Sequence, residues 1–425
     1  MASVEEKIRQ FLEPAYFRLF LIPRTRRCQK RLCRAIRERG SAKVVFLVSS
    51  LPMWRFQKLY DLLREDNRFT VRMALYPFRQ YSQDQQEASV RELRSYCSAR
   101  QMEYLDLTGE ETPGKKLREA LDPDILFYPQ PYNFLFGNDL DSKAFYDKLL
   151  CYIPYSIYMT NAPWVYKTLF NNLAWRLYYG SEYSRSYARK ILYHDGRNIR
   201  VVGEPMADFF DSPATEKAWK PQDKPKKKVI WAPHFSIENR GMHHRDSFTW
   251  LSDCMWKLAE EYRDRIQFAF KPHPRLLSVL NELPGWGEEK ARAYYKQWEE
   301  GANTQLETGP YVDLFKDSDA MIHDCGSFSV EYHLTGKPVL FMTKDLETVI
   351  KDKNEVGRNG ILAHYVGSSE GDIVRFLEEV VLAGKDPKQE ERKLYKEQYL
   401  SPPGGKSVAE TIYTDILEGL EFKKN

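Results

Sequence analysis

The sequence contains no long run of apolar residues. No stretch approaches the ~20 apolar residues that a membrane-spanning helix needs, and the N-terminal residues lack the apolar core and small-residue cleavage site of a secretory signal peptide. The six cysteines are scattered, without a Cys-x-x-Cys pair. Such spacing favours reduced thiols over a disulfide framework or a structural zinc site. We therefore expect a cytoplasmic protein.

The usual fingerprints of nucleotide and metal sites are also missing. No Gly-x-Gly-x-x-Gly occurs, which argues against NAD, and Gly405-Lys406-Ser407 has Leu400 where a phosphate-binding loop requires glycine. His243-His244 has no third ligand at a useful spacing. Chance best explains the three Asp-x-Asp pairs, which precede strands or lie in polar loops at 122–124, 139–141 and 317–319. We expect neither a metal ion nor a cofactor.

Positive charge is concentrated at one end of the chain. The formal net charge is +4, yet residues 1–40 hold eleven Lys and Arg against four Glu, or +7, so that the remainder carries about −3. The pattern predicts a basic helix over 24–39 that ends at Gly40. One interpretation is a basic amphipathic helical arm on an anionic membrane, at the inner face of the plasma membrane. The other is a helical cap over the first domain. Nucleic-acid binding is disfavoured, because the rest of the chain is slightly acidic.

Strand and helix patterns alternate from residue 43 onward. In the first half, strands are predicted at Val44–Ser49, Thr70–Leu75, Tyr104–Leu107, Ile125–Tyr128, Ile153–Met159 and Ile199–Val202. In the second half, they are predicted at Val229–Ala232, Ile266–Phe270, Ala320–Ile322 and Val339–Met342. This βαβ alternation predicts an α/β protein with two doubly wound parallel sheets.

A chain of 425 residues is long enough for two or three domains. We place an N-terminal Rossmann-like domain at 41–210 and a C-terminal one at 229–400. Between them, 211–228 combines three prolines with many charges and is predicted to be a linker. The helix predicted within 401–425 is expected to pack back on the N-terminal domain. Two such domains would leave a cleft between the carboxyl edges of their sheets, with a donor in one half and an acceptor in the other.

The pattern of residues 318–342 is strand, small-residue loop, helix, turn and strand. Cys325-Gly326-Ser327 allows a tight turn, and Ser327 or Ser329 is predicted to cap the helix that follows. Gly336 ends that helix and Pro338 prevents its continuation. A helix N-terminus at the carboxyl end of a parallel strand offers unpaired N–H groups and a favourable dipole to an anion. The segment therefore predicts a site for a phosphorylated ligand, in particular a nucleotide diphosphate.

Three histidines are predicted at the carboxyl edge of the second sheet. His234 and His273 each follow a strand directly, and they are the candidates for the catalytic step, as a general base or as hydrogen-bond donors to phosphate. The residues predicted to bind the donor nucleotide and its diphosphate are Lys271, Arg275, His323, Asp324, Gly326, Ser327, Ser329 and Glu331. A single histidine there is as readily structural, but three at one edge indicate a ligand site.

Charged residues flank these histidines. Lys271 and Arg275 add positive charge beside the predicted phosphate site, and arginine suits bidentate phosphate contacts. Glu331 stands four residues into the predicted helix, counted from Ser327. A carboxylate there can accept hydrogen bonds from ribose hydroxyls or complete a capping pattern.

Aromatic residues are concentrated at 127–193, with 19 in 67 positions against 14% in the whole chain. Most of them should lie in the core, because aromatic side chains dominate cores, whereas exposed rings stack on sugar faces. Tyr132 and Tyr155 are the acceptor-side candidates.

Five segments carry a resemblance to a known family, namely Val201–Pro205, Trp231–His234, Lys271–Pro274, Asp319–Met342 and Gly405–Ser407. Over about residues 200–420 the chain resembles the CDP-glycerol glycerophosphotransferase family of teichoic acid and capsule synthesis, which has the GT-B fold. The resemblance implies metal-independent transfer of a polyol phosphate from a CDP-activated donor to a glycan or polyprenyl-linked acceptor. The acceptor hydroxyl would attack the β-phosphate and expel CMP.

The first half departs from that family. Its polymerases carry a His-Gly-Thr-Pro motif there, whereas this chain reads Cys151-Tyr152-Ile153-Pro154-Tyr155-Ser156, and the only histidine of the first half is His194. Either the base is supplied elsewhere or this is a branch with another donor. Two alternatives stay open. One is a GT-B glycosyltransferase that uses a sugar nucleotide in capsule or lipopolysaccharide synthesis, and the other is a nucleotide-binding or scaffold protein without turnover.

Overall fold

The chain forms two compact units. The computed structural model describes residues 13–78, 81–108, 114–132, 140–214, 217–237 and 247–422. Unit 1 consists of Met1–Ser156, Ala162–Asp208 and Ser401–Asn425, and unit 2 consists of Ile157–Asn161 and Phe209–Leu400.

Unit 1 is built on a seven-stranded parallel sheet. Its strands in chain order are β1 Ala42–Val48, β2 Phe69–Leu75, β3 Tyr104–Asp106, β4 Ile125–Tyr128, β5 Leu149–Tyr152, β6 Arg176–Tyr179 and β7 Ile199–Val201. They lie in the order β3-β2-β1-β4-β5-β6-β7, so the order reverses between β1 and β4. Strands β4 and β5 are buried at every position, as expected of parallel strands covered on both faces.

Two strands of unit 1 differ from the sequence prediction. Strand β5 ends at Tyr152 and does not run over Ile153–Met159, because Pro154 has no N–H for a ladder hydrogen bond. Strand β6 has no predicted counterpart. Its sequence Arg-Leu-Tyr-Tyr lies in the aromatic-rich region, where neither the helix nor the strand period stands out.

Unit 2 is built on a six-stranded parallel sheet. Its strands are β8 Lys227–Ala232, β9 Ile266–Phe270, β10 Thr304–Leu306, β11 Ala320–His323, β12 Val339–Met342 and β13 Tyr365–Gly367. They lie in the order β10-β9-β8-β11-β12-β13, so the order reverses between β8 and β11, as in a Rossmann fold. The prediction of two doubly wound parallel sheets is confirmed. The unpredicted strands β10 and β13 have three residues each, too few for a periodic pattern.

Helices connect the strands of both sheets. In chain order they are α1 Ile22–Arg39, α2 Gln57–Glu65, α3 Gln83–Ala99, α4 Gly114–Leu121, α5 Pro163–Tyr166, α6 Leu169–Leu173, α7 Glu182–Ile191, α8 Ala207–Phe210, α9 Phe248–Glu261, α10 Leu276–Asn281, α11 Gly287–Glu300, α12 Val312–Lys316, α13 Phe328–Glu331, α14 Leu346–Lys351, α15 Glu355–Leu362, α16 Glu370–Arg375, α17 Gln389–Tyr399 and α18 Val408–Leu420. A π-helical turn, Phe17–Leu21, precedes α1, and another, Phe376–Leu382, extends α16. None of the helices in the described ranges is both long and apolar enough to cross a bilayer.

Helix α1 packs one of its faces on unit 1. Its end is set by Gly40, which adopts the left-handed conformation (φ 75°). Ile22, Gln29 and Ile36 are buried, and Gln29 Nε2 donates a hydrogen bond to the carbonyl of Leu173 (2.9 Å). The basic N-terminal segment is therefore attached to unit 1 along this face.

The C-terminal helix α18 also belongs to unit 1. Ser407 caps it with a capping box, so the serine of the Gly-Lys-Ser segment is a helix cap. Asp208 accepts hydrogen bonds from the first two N–H groups of α18 (both 2.8 Å). Further along the helix, Asp415 binds Arg176 and Arg200 of the sheet (both 2.7 Å).

Gly203, between β7 and α8, lies at a position that requires glycine. Its φ is +83°, and a Cβ there would lie 2.5 Å from the backbone N of Pro402. Because both the left-handed conformation and the neighbouring backbone oppose a side chain, we expect Gly203→Ala to lower the free energy of unfolding by about 1–3 kcal/mol. Denaturant unfolding measures the loss. Gly40→Ala is the control, with φ +75° and no atom within 4 Å; equal losses in the two variants would contradict a role for Pro402.

Aromatic side chains fill the core of unit 2. Trp231 is fully buried, and its ring stacks on Phe248 (centroids 5.8 Å apart) and Phe270 (5.0 Å), with Trp298 at 5.4 Å. Rings packed at such distances contribute about 0.5–1.5 kcal/mol per pair beyond their burial. This packing fixes the end of β8 and therefore the start of the loop that carries His234.

The charged segment before β8 packs on unit 2. Trp219 is buried, and its Nε1 donates a hydrogen bond to the carbonyl of Leu314 (3.2 Å). The N–H of Lys220 donates to Gln305 Oε1 (2.8 Å). Trp219 and Lys220, which fall in the predicted linker 211–228, are therefore packed on unit 2.

Candidate functional site

The candidate site lies where the strand order of unit 2 reverses. Strands β8 and β11 are neighbours there, and ligands of open α/β sheets bind outside the carboxyl ends of such strands. His234 follows β8, His273 follows β9, and His323 is the last residue of β11. The three histidines thus share one edge of the sheet.

Asp324 joins the two loops at this edge. Its side chain is fully buried, and its carboxylate accepts hydrogen bonds from the N–H groups of His234 (2.6 Å) and Ser247 (3.0 Å). A buried carboxylate is tolerated only when such donors replace water. Asp324 therefore fixes the loop after β8 and the start of α9, a structural role that sequence reasoning, which assigned it to the donor nucleotide, did not identify.

His234 and His273 share one tautomer. Nδ1 of His234 accepts a hydrogen bond from the N–H of Ser236 (3.2 Å), and Nδ1 of His273 accepts one from the N–H of Arg275 (3.1 Å). A backbone N–H can only donate, so each neutral ring carries its proton on Nε2. Each ring then presents an N–H donor, not a lone pair, at Nε2.

The two imidazole rings form a cluster with Phe235 and Arg275. The rings of His234 and His273 are 5.0 Å apart, and each lies 4.4 Å from the ring of Phe235. The guanidinium carbon of Arg275 lies 4.4 Å from the centre of the same Phe235 ring. Burial first, and then the charge of Arg275, lower the pKa of His273 to about 4. His273 is therefore neutral at pH 7, beside a fixed positive charge.

The ammonium group of Lys271 is hydrogen-bonded within unit 2. The residue is buried, and its Nζ donates to the carbonyls of Gly309 (2.7 Å) and Glu307 (3.3 Å) in the loop after β10. Burial lowers the pKa of its ammonium group. In this arrangement the lysine ties β9 to the next loop, so any contact with a ligand would add to that role.

The loop after β11 presents backbone donors. Within the described residues, the N–H groups of Gly326, Ser327 and Phe328 have no hydrogen-bond acceptor, and Ser327 is exposed. Neither serine caps α13 with its side chain, contrary to the sequence prediction. Ser327 already has helical angles (φ −62°, ψ −38°), and Ser329, fully buried, donates through Oγ to the carbonyl of Cys325 (2.8 Å).

Glu331 is held by a tyrosine that sequence reasoning missed. The residue is buried, and its carboxylate accepts a hydrogen bond from the hydroxyl of Tyr311. The Tyr311 ring packs on Phe328 (5.2 Å) in the first turn of α13. No motif in the sequence marks Tyr311, because it lies in an irregular segment before α12.

Three buried histidines support the loop from the core. His323 is enclosed, with its ring 5.3 Å from Phe341 and 5.6 Å from His364. His333 stacks on His364 (4.2 Å), and His364 Nε2 contacts the carbonyl of Ser329 (3.1 Å). The side chain of His323 thus lies in the core because both faces of β11 are covered.

This buried stack makes stability depend on pH. Burial lowers the pKa of His333 to about 3 and that of His364 well below its usual value. Below pH 6.5 the unfolded chain binds protons that the folded chain does not, so stability falls as the pH is lowered towards those pKa values. We expect the lowered pKa of His333 alone to reduce the free energy of unfolding by about 2 kcal/mol between pH 7 and pH 5. Denaturant unfolding at both pH values measures this, and His333→Gln should reduce the loss; an unchanged loss in that variant would contradict the assignment.

The acceptor-side candidates lie in unit 1. Tyr132 follows β4 and Tyr155 follows β5, at the carboxyl edge of the seven-stranded sheet. Both pack against the buried pair Met53 and Phe78, and the ring of Tyr132 lies 5.8 Å from that of the exposed Trp164. These rings are half-buried, so they combine a packing role with an accessible face.

The pair His243-His244 lies outside the described residues. Over the ranges that the structure describes, no group of three or more His, Cys, Asp or Glu side chains is arranged to hold a metal ion.

Known proteins resemble the chain in sequence pattern and in fold. The sequence model of one family, described as CDP-glycerol:poly(glycerophosphate) glycerophosphotransferase, matches residues 170–417. The solved structure of the wall teichoic acid polymerase TagF is similar, with a TM-score of 0.59 and 12% identity over 99% of this chain and 100% of that chain. A putative UDP-N-acetylglucosamine 2-epimerase from Listeria monocytogenes has a TM-score of 0.58 and 15% identity over 90% of this chain and 98% of its own. No curated protein sequence matches the chain.

These likenesses confirm the predicted fold class, two Rossmann-like domains of the GT-B type. Identities this low show the fold alone. The family match shows more than the fold, because it covers more than half of the chain. It includes strands β8 to β13 and therefore the unit 2 residues described above, where the strand order reverses. The chain belongs to the CDP-glycerol:poly(glycerophosphate) glycerophosphotransferase family.

Proposed function

We propose that the protein transfers glycerol phosphate, or a similar polyol phosphate, from a CDP-activated donor to a teichoic-acid-like or other surface-polysaccharide acceptor. The observation that carries the proposal is the family match, which includes all the donor-side residues of unit 2. In the transfer, the acceptor oxygen bonds to the β-phosphorus and the phosphorus–oxygen bond to CMP breaks. The acceptor hydroxyl releases its proton to solvent, and CMP leaves with the electron pair of the broken bond.

The diphosphate of the donor is assigned to the loop after β11. The unbonded N–H groups of Gly326, Ser327 and Phe328 are donors of the kind that bind phosphate oxygens. Arg275, held over Phe235 after β9, supplies positive charge at the same edge of the sheet. Such fixed donors offset the negative charge that develops on the leaving CMP oxygen.

His234 and His273 are assigned as hydrogen-bond donors to the phosphate. Both rings carry their proton on Nε2, where a general base would need a lone pair. The low pKa of His273, about 4, also makes it a weak base. Of the two roles open from the sequence, the geometry supports the donor role. Tyr132 and Tyr155 are the proposed acceptor-side residues.

The proposal is tested by the nucleotide that the full-length protein releases. With CDP-glycerol and a glycerol-phosphate oligomer as acceptor, we expect acceptor-dependent release of CMP. Release of UDP or GDP from sugar nucleotides would instead assign a glycosyltransferase, and tight binding of CDP-glycerol without turnover would assign a binding protein. A thermal-shift comparison of CDP-glycerol, CDP-ribitol, UDP-sugars and GDP-sugars identifies the donor, since a ligand at 100 times its Kd stabilises by about 2.7 kcal/mol.

Peripheral attachment to an anionic membrane is proposed for the N-terminal region. Tyr16, Leu19 and Phe20 are 57%, 68% and 65% exposed, just before the arginines of α1. Apolar side chains beside cationic ones are typical of interfacial helices. Because each buried apolar side chain contributes about 1.5–3 kcal/mol, we expect Leu19→Ser with Phe20→Ser to weaken binding to phosphatidylglycerol vesicles at least about tenfold in co-sedimentation.

The control for this prediction is Leu394→Ser in α17 of unit 2, where the leucine is 55% exposed. Substitution is preferable to deletion of residues 1–40, because α1 packs on unit 1 and its removal would expose that contact surface. Vesicle binding by the double variant as tight as that of the control would refute the assignment.

A further inference from the structure

Unit 1 contains a cavity that lies away from the carboxyl edge of its sheet. The cavity has a volume of about 540 Å³ and is lined by α1 and by the residues that lead into β6 and β7. It therefore lies at the amino ends of these strands, whereas Tyr132 and Tyr155 follow the carboxyl ends of β4 and β5. Its volume is within the range of about 300–1,000 Å³ that is usual for small-ligand sites.

The lining of this cavity is strongly cationic. Arg26, Lys30 and Arg34 recur every four residues along α1, so they share one face of the helix. Arg197 lines the cavity from the loop before β7. Within the described part of the chain, none of these four side chains forms an ion pair or a hydrogen bond with a carboxylate.

Two carboxylates pair with arginines of the lining, namely Glu421, which itself lines the cavity, and Asp415. Glu421 pairs with Arg37, and Asp415 pairs with Arg176 (2.7 Å). These two ion pairs neutralise the remaining arginines of the lining. The charges of Arg26, Lys30, Arg34 and Arg197 are therefore left without a protein counter-ion among the described residues.

Arg26 is close enough to Arg197 to be repelled by it. Burial first, and then the charge of Arg197, lower the pKa of Arg26. The charge of Arg26 in turn acts on His194, whose pKa is lowered chiefly by burial. Arg26 is half-buried whereas Arg197 is exposed, so a bound anion would offset the repulsion chiefly at Arg26.

Three buried side chains of the lining each have a polar atom without a partner among the described residues. Thr25 is 2% exposed, His194 is 7% exposed and Asn198 is 8% exposed. Thr25 Oγ1, His194 Nδ1 and Asn198 Oδ1 make no hydrogen bond within the described residues, while His194 Nε2 donates to the carbonyl of Asn171 (3.3 Å). His194 Nδ1 and Asn198 Oδ1 are therefore acceptors, and of the three atoms only the hydroxyl of Thr25 can donate a hydrogen bond to an anion.

We propose that this cavity binds the anionic phosphate ester group of a ligand. Each guanidinium group can donate two parallel hydrogen bonds to a phosphate group, Lys30 adds an ammonium donor, and the hydroxyl of Thr25 can donate another hydrogen bond. Arg26 and Arg34 are eight positions apart, which corresponds to about 12 Å along the helix, more than one phosphate group covers, so the ligand extends along α1. The phosphate belongs either to a free ester or to a lipid headgroup. The inference does not depend on the proposed transferase activity.

Binding of two probes to the full-length protein tests this proposal. The soluble probe is glycerol 1-phosphate, followed by titration calorimetry, and the lipid probe is phosphatidylcholine vesicles with and without phosphatidylglycerol, followed by co-sedimentation. In Arg26→Gln with Arg197→Gln we expect the affinity for at least one probe to fall at least about tenfold, because two charged hydrogen-bond donors are lost. Loss for glycerol 1-phosphate assigns the free ester, and loss for the vesicles alone assigns the headgroup.

Stability and affinity should change in opposite directions. Arg26→Gln removes a repelled charge and Thr25→Val removes an unpartnered hydroxyl, so we expect each variant to melt at the same temperature as the unsubstituted protein or higher, yet to bind the probe more weakly. A purely structural role for these residues would lower the melting temperature instead.

Charge-matched substitutions elsewhere supply the control. Arg91 and Lys385 are exposed, and Arg91→Gln with Lys385→Gln removes the same net charge. We expect this variant to bind both probes as the unsubstituted protein does. The proposal is overturned if the Arg26 and Arg197 variant keeps its affinity for both probes, or if the control loses as much affinity as that variant does.

Discussion

Replacement of His273 by alanine is expected to lower the rate of CMP release by about 10²–10³-fold, the usual loss when one preorganised donor to a transition state is removed. The melting temperature should change little, because the ring is half-buried and its hydrogen bond to the N–H of Arg275 is local. Steady-state kinetics with CDP-glycerol measure the loss, and it should appear in kcat, because the charge to be offset develops during transfer.

The glutamine variant separates the donor role from the base role. His273→Gln keeps an N–H donor near the position of Nε2, so we expect it to retain part of the activity that the alanine variant loses. In addition, because the pKa of His273 is about 4, its protonation state should not change between pH 6 and pH 8. Equal loss in the glutamine and alanine variants, with a rate that falls below pH 6.5 in the unsubstituted protein, would favour a general base.

Asp324→Ala is expected to have the largest effect on stability among substitutions in the site. It removes the acceptor for the N–H groups of His234 and Ser247, and each unsatisfied buried N–H costs about 1–3 kcal/mol. We therefore expect the free energy of unfolding to fall by about 2–6 kcal/mol, measured by denaturant unfolding. Transfer activity should fall with it, since the loop that carries His234 loses its attachment to β11.

The matched control is Asp319→Ala, just before the other end of the same strand. Asp319 also accepts a backbone N–H, that of Lys228 (2.8 Å), and pairs with Lys227, but its side chain is 34% exposed. Water can replace these contacts, so we expect a loss below about 1 kcal/mol. If the two variants lost the same free energy of unfolding, the burial of Asp324 would not be the reason for its effect.

Several central strands were predictable from the sequence, although β5 was predicted too late in the chain and the central strand β6 was not predicted. Ile125–Tyr128 and Val339–Met342 are continuous apolar runs, and Ile266–Phe270 is interrupted only by Gln267; the structure has all three with the predicted bounds. Thr304–Leu306 and Tyr365–Gly367 have three residues each and lie at the edges, where tertiary pairing and not local pattern defines a strand. The helix after Ser327 is a single turn, because Tyr332–Thr335 continues it as a 3₁₀ turn.

The place of the site was predictable, but the contacts of its side chains were not. A residue that follows a parallel strand lies at the carboxyl edge, and this rule locates His234, His273 and Asp324. It does not say where a side chain points. Asp324 binds backbone N–H groups and Lys271 binds carbonyls, and such pairings depend on the fold of distant loops. His364 and Tyr311 follow no motif, so sequence reasoning had no signal for them.

The return of residues 401–425 to unit 1 has a consequence for synthesis on the ribosome. The last strand of the seven-stranded sheet ends at Val201, yet Asp208, Arg176 and Arg200 bind residues of α18, some two hundred residues later. Unit 2 can complete its sheet while the chain is still being elongated, whereas unit 1 must wait for the C terminus. During that interval the edge of unit 1 that α18 covers is open to chaperones and proteases, and a chain that ends at residue 400 would keep it so.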